Sequence, residues 1–354
     1  MKFRNMATLA LCGVLSFAAS PVLAAKERPV RLTMTTQYMD RHPVVQKVFK
    51  PWIEEVKKRT GGRVLITLYN PNTLCPEGEI LDAVLKGQVD IGQHFCARNP
   101  GRMPLNTVIG KIPMTVSSCQ AGALGYWNLW HDSPELQAEY KGLHVLGLHT
   151  TAACQVHTKN KPVATLDDLA SLRLLGASKD TMVIINALGL NGIMQPMTDM
   201  YLAMSRNMGD AAMVPVAPLR SYKINESTKH TLLFHGIMGS CWFAMNEAKW
   251  NSLPPDVQQV LTETTGEAIS MALGRALDDG EKEDRVLLEK EGHTFSDLAP
   301  DERMRWRERI QPALKASWLE EIEKSGLADP DALYAKATEA MERAETALTG
   351  KQGG

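Results

Sequence analysis

The chain has 354 residues, enough for two cored domains. Its formal charge is −1, with 44% hydrophobic and 22% charged residues. This near-neutral balance excludes nucleic acid or an anionic membrane surface as the expected partner.

The opening residues MKFRNMATLALCGVLSFAASPVLAAKE read as an export signal. Lys2 and Arg4 form the basic start, Ala7 to Ala19 the apolar run, and "VLA" at Val22 to Ala24 the small-residue cleavage site. Residues 1–24 are therefore expected to be a signal peptide, cleaved near Ala24, with the mature chain in a periplasm. Losing Lys2 and Arg4 takes the charge from −1 to −3. No other segment resembles a membrane span. Five cysteines remain: Cys75, Cys96, Cys119, Cys154 and Cys241. Without a C-x-x-C they suggest neither a redox pair nor a zinc knuckle. A bridge and small buried side chains both stay open.

The mature chain begins with a strand at Val30 to Gln37, rich in β-branched residues. Helical spacing follows, with Val44, Val48, Trp52, Ile53 and Val56 on one face, stopped by Gly61-Gly62. "RVLITLY" reads as a second strand, "EILDAVLKG" as a helix stopped by Gly87, and "VDIGQHF" as a third strand. The alternation predicts a parallel sheet with right-handed crossovers. The pattern returns later. "GLHVLGLH", "ACQVHTK", "LRLLGA", "GIMQP" and "GDAAMVP" read as strands. Between them lie short helices starting at Thr165 and Thr198, and one at "DTMVIINALG" stopped by Gly189. "SCWFAMN" is a further strand. A single long helix is expected from about Pro254 to Glu291, with two helical stretches closing the chain.

One device occurs twice. "AVLKGQVDIG" (Ala83 to Gly92) and "AMSRNMGDAA" (Ala203 to Ala212) are each a helix end, a stop and a strand, 120 residues apart. Gly87 and Asn207 tolerate the left-handed stop. Asp90 and Asp210 are expected to bond local backbone N–H groups rather than a ligand.

Four stretches, "GGRVLITLYNPNTLCPEGEILDAVLKGQVDIG", "PVATLDDLASLRL", "ALGLNGIMQPMTDMYLAMSRNMGDAAMVP" and "MNEAKWNSLPPDVQQVL", occur in that order. Together they resemble the solute-binding proteins of tripartite ATP-independent periplasmic (TRAP) transporters, over roughly Val30 to Leu348. The resemblance implies an α/β, two-lobed periplasmic binding protein fold, with a ligand cleft between lobes and a long helix along both. Residues 25–150 plus about 240–272 would form the first lobe. About 151–239 plus 273–350 would form the second, C-terminal helices included. It also implies a small organic solute captured by lobe closure, TRAP permease membrane subunits as partners, a monomer, no cofactor, no metal and no enzymatic activity.

In that family an Arg of the second lobe forks onto a substrate carboxylate. Here Leu175 stands in its place, with Arg173 two residues earlier. Val214 replaces a common Asn, Cys154 replaces an Arg found in some members, and Met197 replaces an aromatic residue. Together with Met213 they predict an apolar second-lobe wall. The first lobe is expected to offer Gln37, Tyr38, Glu77, His94 and Phe95, with Trp242 on the returning strand. Arg98 and Arg102 are candidates to replace the missing clamp. The expected ligand is then neutral, aromatic or partly apolar rather than a simple carboxylate.

Other classes find less support. There is no G-x-S-x-G, H-E-x-x-H or phosphate loop, and "ALGLNG" lacks the first Gly of a dinucleotide fingerprint. His149 and His157 could share a face across one strand pair as a metal site. A ligand sensor or a carrier of lipids on the same fold is the alternative function.

Overall fold

Both copies of the repeated device fold as read. Gly87 and Asn207 adopt positive φ, 68° and 57°. One Asp90 carboxylate oxygen accepts the Thr33 N–H at 2.7 Å, and one Asp210 oxygen accepts the Arg173 N–H at 3.0 Å. Each carboxylate thus fastens the start of its own strand to the parallel neighbour.

The computed structural model describes residues 28–350. The signal peptide expectation lies outside them. The eleven described strands are β1 Val30–Thr36, β2 Val64–Tyr69, β3 Ile91–Phe95, β4 Leu143–Thr150, β5 Gln155–Thr158, β6 Arg173–Gly176, β7 Asn191–Met194, β8 Ala211–Val214, β9 His230–Leu233, β10 Ser240–Asn246 and β11 Thr294–Asp297. They form two sheets, β2-β1-β3-β10-β4 and β11-β9-β5-β8-β6-β7. β1, β2 and β3 run parallel, as do β6, β7 and β8. β10 is antiparallel to both its neighbours, and β5 to β8 and β9.

Each sheet is covered on both faces, because successive side chains of a strand point to opposite sides. Along β10, Trp242 and Ala244 enter one core while Phe243 and Met245 enter another. Along β6, Leu174 and Leu175 likewise part company.

The chain passes directly between the sheets twice. Residues 151–154 lead from β4 to β5, and residues 234–239 lead back from β9 to β10. These crossovers are bonded side by side: Thr151 N–H to Gly239 O at 2.8 Å, Cys154 N–H to Ile237 O at 3.1 Å, and Gly236 N–H to Cys154 O at 3.0 Å.

A third crossing is helical. The expected single helix is in fact two, Pro255–Thr264 and Glu267–Lys290. Thr265 is extended and Gly266 has φ 71°, so the ladder breaks there, and the Gly266 N–H bonds Leu146 O at 2.7 Å instead. The second helix, about 36 Å long by its rise per residue, packs Ile269, Leu273 and Ala276 into a first-lobe core and Leu288 into a second-lobe core. Helix Pro300–Ile322 also straddles the lobes: Trp306, Ile310 and Leu314 lie in one core, Trp318 and Ile322 in another.

The final helix, Pro330–Thr349, was expected with the second lobe. Its buried face, with Leu333, Tyr334, Ala337 and Met341, lies in the first-lobe core beside Tyr126 and Leu129. Gly125 permits the approach, since a Cβ there would sit 2.6 Å from Met341 Sδ and 3.2 Å from Ala340 O. Among the described residues no helix is long and apolar enough to cross a membrane.

Candidate functional site

At the strand ends of the first lobe a chain of hydrogen bonds runs inward. The Thr36 hydroxyl donates to Gln93 Oε1 at 2.5 Å, and Gln93 Nε2 lies 3.2 Å from His149 Nε2. His149 Nδ1 lies 3.0 Å from the Thr150 carbonyl. A carbonyl only accepts, so the proton sits on Nδ1 and Nε2 accepts from Gln93. Burial lowers the His149 pKa to about 4, so the neutral ring is the stable one. Tyr38 stands beside this chain, stacked on His42 at 3.9 Å. The amide of Gln37 has both polar atoms buried without a hydrogen-bond partner.

The other expected first-lobe residues are engaged with one another or with the core. His94 Nε2 lies 2.6 Å from Glu77 Oε1, and the ring is buried. Phe95 is half-buried with its ring 5.7 Å from that of His94. Trp242 is fully buried in the core, its ring against Gly92, where a Cβ would be 3.1 Å away. It is packing, not a cleft residue.

The expected second-lobe wall is interior as well. Leu175 and Met213 are fully buried, and Val214 and Cys154 nearly so, each within an apolar cluster. Met197 is half-buried against the same cluster as Leu175. A Cβ on Gly209 would lie 2.4 Å from Leu175 Cγ, so no room remains around that side chain. Cys154 serves the crossover, its Sγ accepting the Ile237 N–H at 3.4 Å. The candidate arginines are elsewhere. Arg173 forks onto Asp210 at 2.9 and 3.0 Å. Arg102 is exposed and donates to Lys141 O; Arg98 is exposed.

A cavity of about 580 Å³ lies where the lobes join. Ser117 and Cys119 reach it from the first lobe, Ala152, His235 and Met238 from the crossovers, Gln155 from the start of β5, and Leu233 and Val216 from the second lobe. Asp278, Glu281, Lys282, Arg285 and Glu289 of the long helix complete it. None of the expected ligand residues lines it. Its size suits a small organic molecule, since such sites span about 300–1,000 Å³.

The carboxylates here are committed to the fold. Asp278 accepts the N–H groups of Cys119 and Gln120, at 2.7 and 3.0 Å. Glu281 accepts those of Ala217 and Val216, at 2.8 and 3.2 Å. Burial raises the Glu281 pKa to about 7, against the lowering effect of those bonds. Arg285 is tied to Glu289 at 2.9 Å.

Across the lobes, Lys111 Nζ is 2.5 Å from Asp180 and 3.0 Å from Glu321. Gln155, Lys111 and the long-helix carboxylates carry no motif. Only the place of Gln155 at the start of β5, next to Cys154, offered a signal. Among the described residues no three or more His, Cys, Asp or Glu side chains converge as metal ligands. His149 and His157 lie in different sheets, on β4 and β5, so they share no strand pair. All five described cysteines are free thiols.

The chain matches, over residues 34–321, the family model described as bacterial extracellular solute-binding protein, family 7, DctP. The chain belongs to this family of TRAP solute-binding proteins. It is 28% identical to the C4-dicarboxylate-binding periplasmic protein DctP of Rhodobacter capsulatus, covering 73% of this chain and 78% of that protein. It is 24% identical to the 2,3-diketo-L-gulonate-binding periplasmic protein YiaO of Escherichia coli strain K12, covering 76% and 80%.

Among solved structures, a TRAP periplasmic solute-binding protein from Desulfovibrio salexigens, in an open complex, matches with TM-score 0.81 and 25% identity over 91% of this chain and 97% of that one. A TRAP solute-binding protein from Rhodoferax ferrireducens, in complex with copurified benzoate, matches in fold with TM-score 0.78 and 24% identity over 90% and 100%. As a TRAP solute-binding protein the chain binds a small organic ligand and works with membrane permease components.

Proposed function

We propose that the chain acts in the periplasm as a monomeric carrier without enzymatic activity. It holds its solute where the lobes meet and hands it to TRAP permease subunits on reopening. The observation that carries this is the joint itself: two bonded crossovers and one continuous helix link two separately cored sheets, with a cavity open to both. A solute touching both lobes binds the closed state better than the open one, and that difference drives closure.

The solute differs from a simple dicarboxylate. Leu175 is sealed in a core, Arg173 is held by Asp210, and Arg285 by Glu289, so no uncommitted guanidinium lines the cavity to fork onto a carboxylate. Of the expected contacts, Gln37 has both amide atoms sealed from solvent, beside Tyr38 and Cys241. Neither Gln37 nor Tyr38 lines the cavity, so the first-lobe contact there falls to Ser117, Ser118 and Cys119. A thermal-shift screen with organic acids, sulfonates, aromatic acids and neutral osmolytes tests the reading. A tight ligand in excess raises Tm by mass action. Failure of every class to shift Tm, in protein stripped of copurified ligand, contradicts it.

A further inference from the structure

Gln155 is 3% exposed, and its side chain is oriented without ambiguity. Its Oε1 accepts two backbone N–H groups of the returning crossover, Phe234 at 2.9 Å and His235 at 3.0 Å. Backbone N–H groups only donate, so the atom facing them is the oxygen and the other end of the amide is the NH₂. Among the described residues nothing accepts from that Nε2, and it is not among the atoms sealed from solvent. Gln155 lines the cavity between the lobes. The cavity therefore presents a fixed donor from the hinge itself.

The rest of the lining sets the character of what meets that donor. Ala152, Ala153, Val216, Leu233 and Met238 supply apolar surface. Asp278, Glu281 and Glu289 are carboxylates, and only Lys282 faces them as a cation free of a described ion pair. Glu289 is balanced by Arg285, and the raised pKa of Glu281 leaves it partly protonated near pH 7, so an anionic solute gains only the exposed Lys282 here, while a neutral polar group gives up less hydration on entry.

We propose that Gln155 Nε2 reads an oxygen acceptor on an uncharged solute with an apolar body, such as a ketone or amide carbonyl. The assignment rests on the solute-binding reading above and deepens it. It gives the hinge a direct part in selectivity. The acceptor bonds the residue that joins the two crossovers, and the apolar body spans from Val216 and Leu233 towards Cys119.

The test uses the full mature chain and a panel of matched carboxylates, primary amides, methyl ketones and hydrocarbons of the same carbon skeletons. Binding is read by calorimetry at pH 7. Methyl ketones and amides are expected to bind at least roughly tenfold tighter than the matched carboxylates and hydrocarbons, the value of one satisfied hydrogen bond.

Gln155→Glu keeps the oxygen that caps Phe234 and His235 but replaces the donor with an acceptor. It is expected to leave the apo Tm within a few degrees and to lower ketone affinity roughly tenfold or more. Primary amides lose less, because they can donate in return. Acidification that protonates the new Glu is expected to restore ketone binding, which a merely structural role of Gln155 does not explain.

Tighter binding of carboxylates than of their amides and ketones overturns the ligand class. Equal ketone affinity in wild type and Gln155→Glu overturns the role of Gln155. In both cases the solute-binding reading stands. Absence of binding by the whole panel overturns the proposal, and the broader screen then decides whether the solute-binding reading falls with it.

Discussion

Asp278 and Glu281 are three residues apart on one helix, yet they hold different lobes. Asp278 accepts the first two N–H groups of the helix Cys119–His131, in the first lobe. Glu281 accepts the N–H groups of Val216 and Ala217, where the helix Ala217–Ser221 of the second lobe begins. One turn of the long helix thus pins both lobes by the same chemistry, a carboxylate on orphan helix donors.

Removing either pin exposes a different lobe. Asp278→Ala and Glu281→Ala are each expected to cost about 1–3 kcal/mol, the value of charge-assisted hydrogen bonds whose donors are left unmade. Amide exchange distinguishes them. Asp278→Ala accelerates exchange at Cys119 and Gln120, and Glu281→Ala at Val216 and Ala217. Equal acceleration at both sites in both variants contradicts independent pins.

The Glu281 carboxyl also predicts a pH effect. Its folded pKa, about 7, is above the ordinary 4.5. The folded state therefore binds more protons than the unfolded one between those values, and stability falls as pH rises through that window. The loss is on the order of 3 kcal/mol. Glu281→Gln is expected to flatten this slope in denaturant titrations between pH 4.5 and 7, relative to wild type.

Two buried imidazoles act in the opposite direction. His149 and His157 have pKa values lowered by burial to about 4 and 3, against 6.5 unfolded. Here the unfolded state binds more protons below pH 6.5, so stability drops as pH falls from 6.5 towards those values. The His157 ring, held by Thr231 at 2.8 Å and by Val214 O at 2.9 Å, stays neutral because burial outweighs the support that the Val214 carbonyl would give the charged form. His157→Gln is expected to weaken the acid-induced loss without abolishing it, because His149 remains.

How much of this was legible in the sequence depends on whether a residue acts locally. The Asp90 and Asp210 devices were readable because stop, carboxylate and strand are neighbours in the chain. The helix Cys119–His131 was not assigned. It is packed on several sides, by β4, the long helix and the final helix, and so carries no one-sided apolar stripe. The break at Gly266 was missed because apolar spacing continues on either side of it, although the Gly was in view.

The site was less legible than the fold. Family spacing pointed to Leu175, Val214 and Met213, at the ends of β6 and β8. Once a clamp Arg becomes Leu, however, the position has no reason to face water, and it joins the core. Gln155 became visible only when its oxygen was seen to be held by a segment 79 and 80 residues away.

Leu175→Arg separates these readings. In a cleft it would install a clamp and favour organic acids. Against Gly209, Met204 and Val214 it buries an unpaired charge. A loss of roughly 4 kcal/mol or more is expected. A soluble variant with wild-type Tm and new carboxylate binding contradicts the packing described here.

Lys111 bridges the lobes at another point. Its side chain is 2% exposed, between Asp180 of the second lobe and Glu321. Lys111→Met leaves Asp180 without its cation and Glu321 with Lys179 alone, at 3.0 Å. A cost of about 3 kcal/mol is expected, since both partners keep some contact with water. Denaturant unfolding measures it, and a double change with Asp180→Asn is expected to recover part of the loss.

The central claim is that a solute is caught by closure of two lobes about the paired crossovers. Small-angle X-ray scattering on the ligand-free protein, then at saturating concentration of the tightest solute from the binding panel, tests it most directly. The account predicts a smaller radius of gyration and a shorter maximum dimension with solute bound. Saturated binding with an unchanged scattering profile contradicts it.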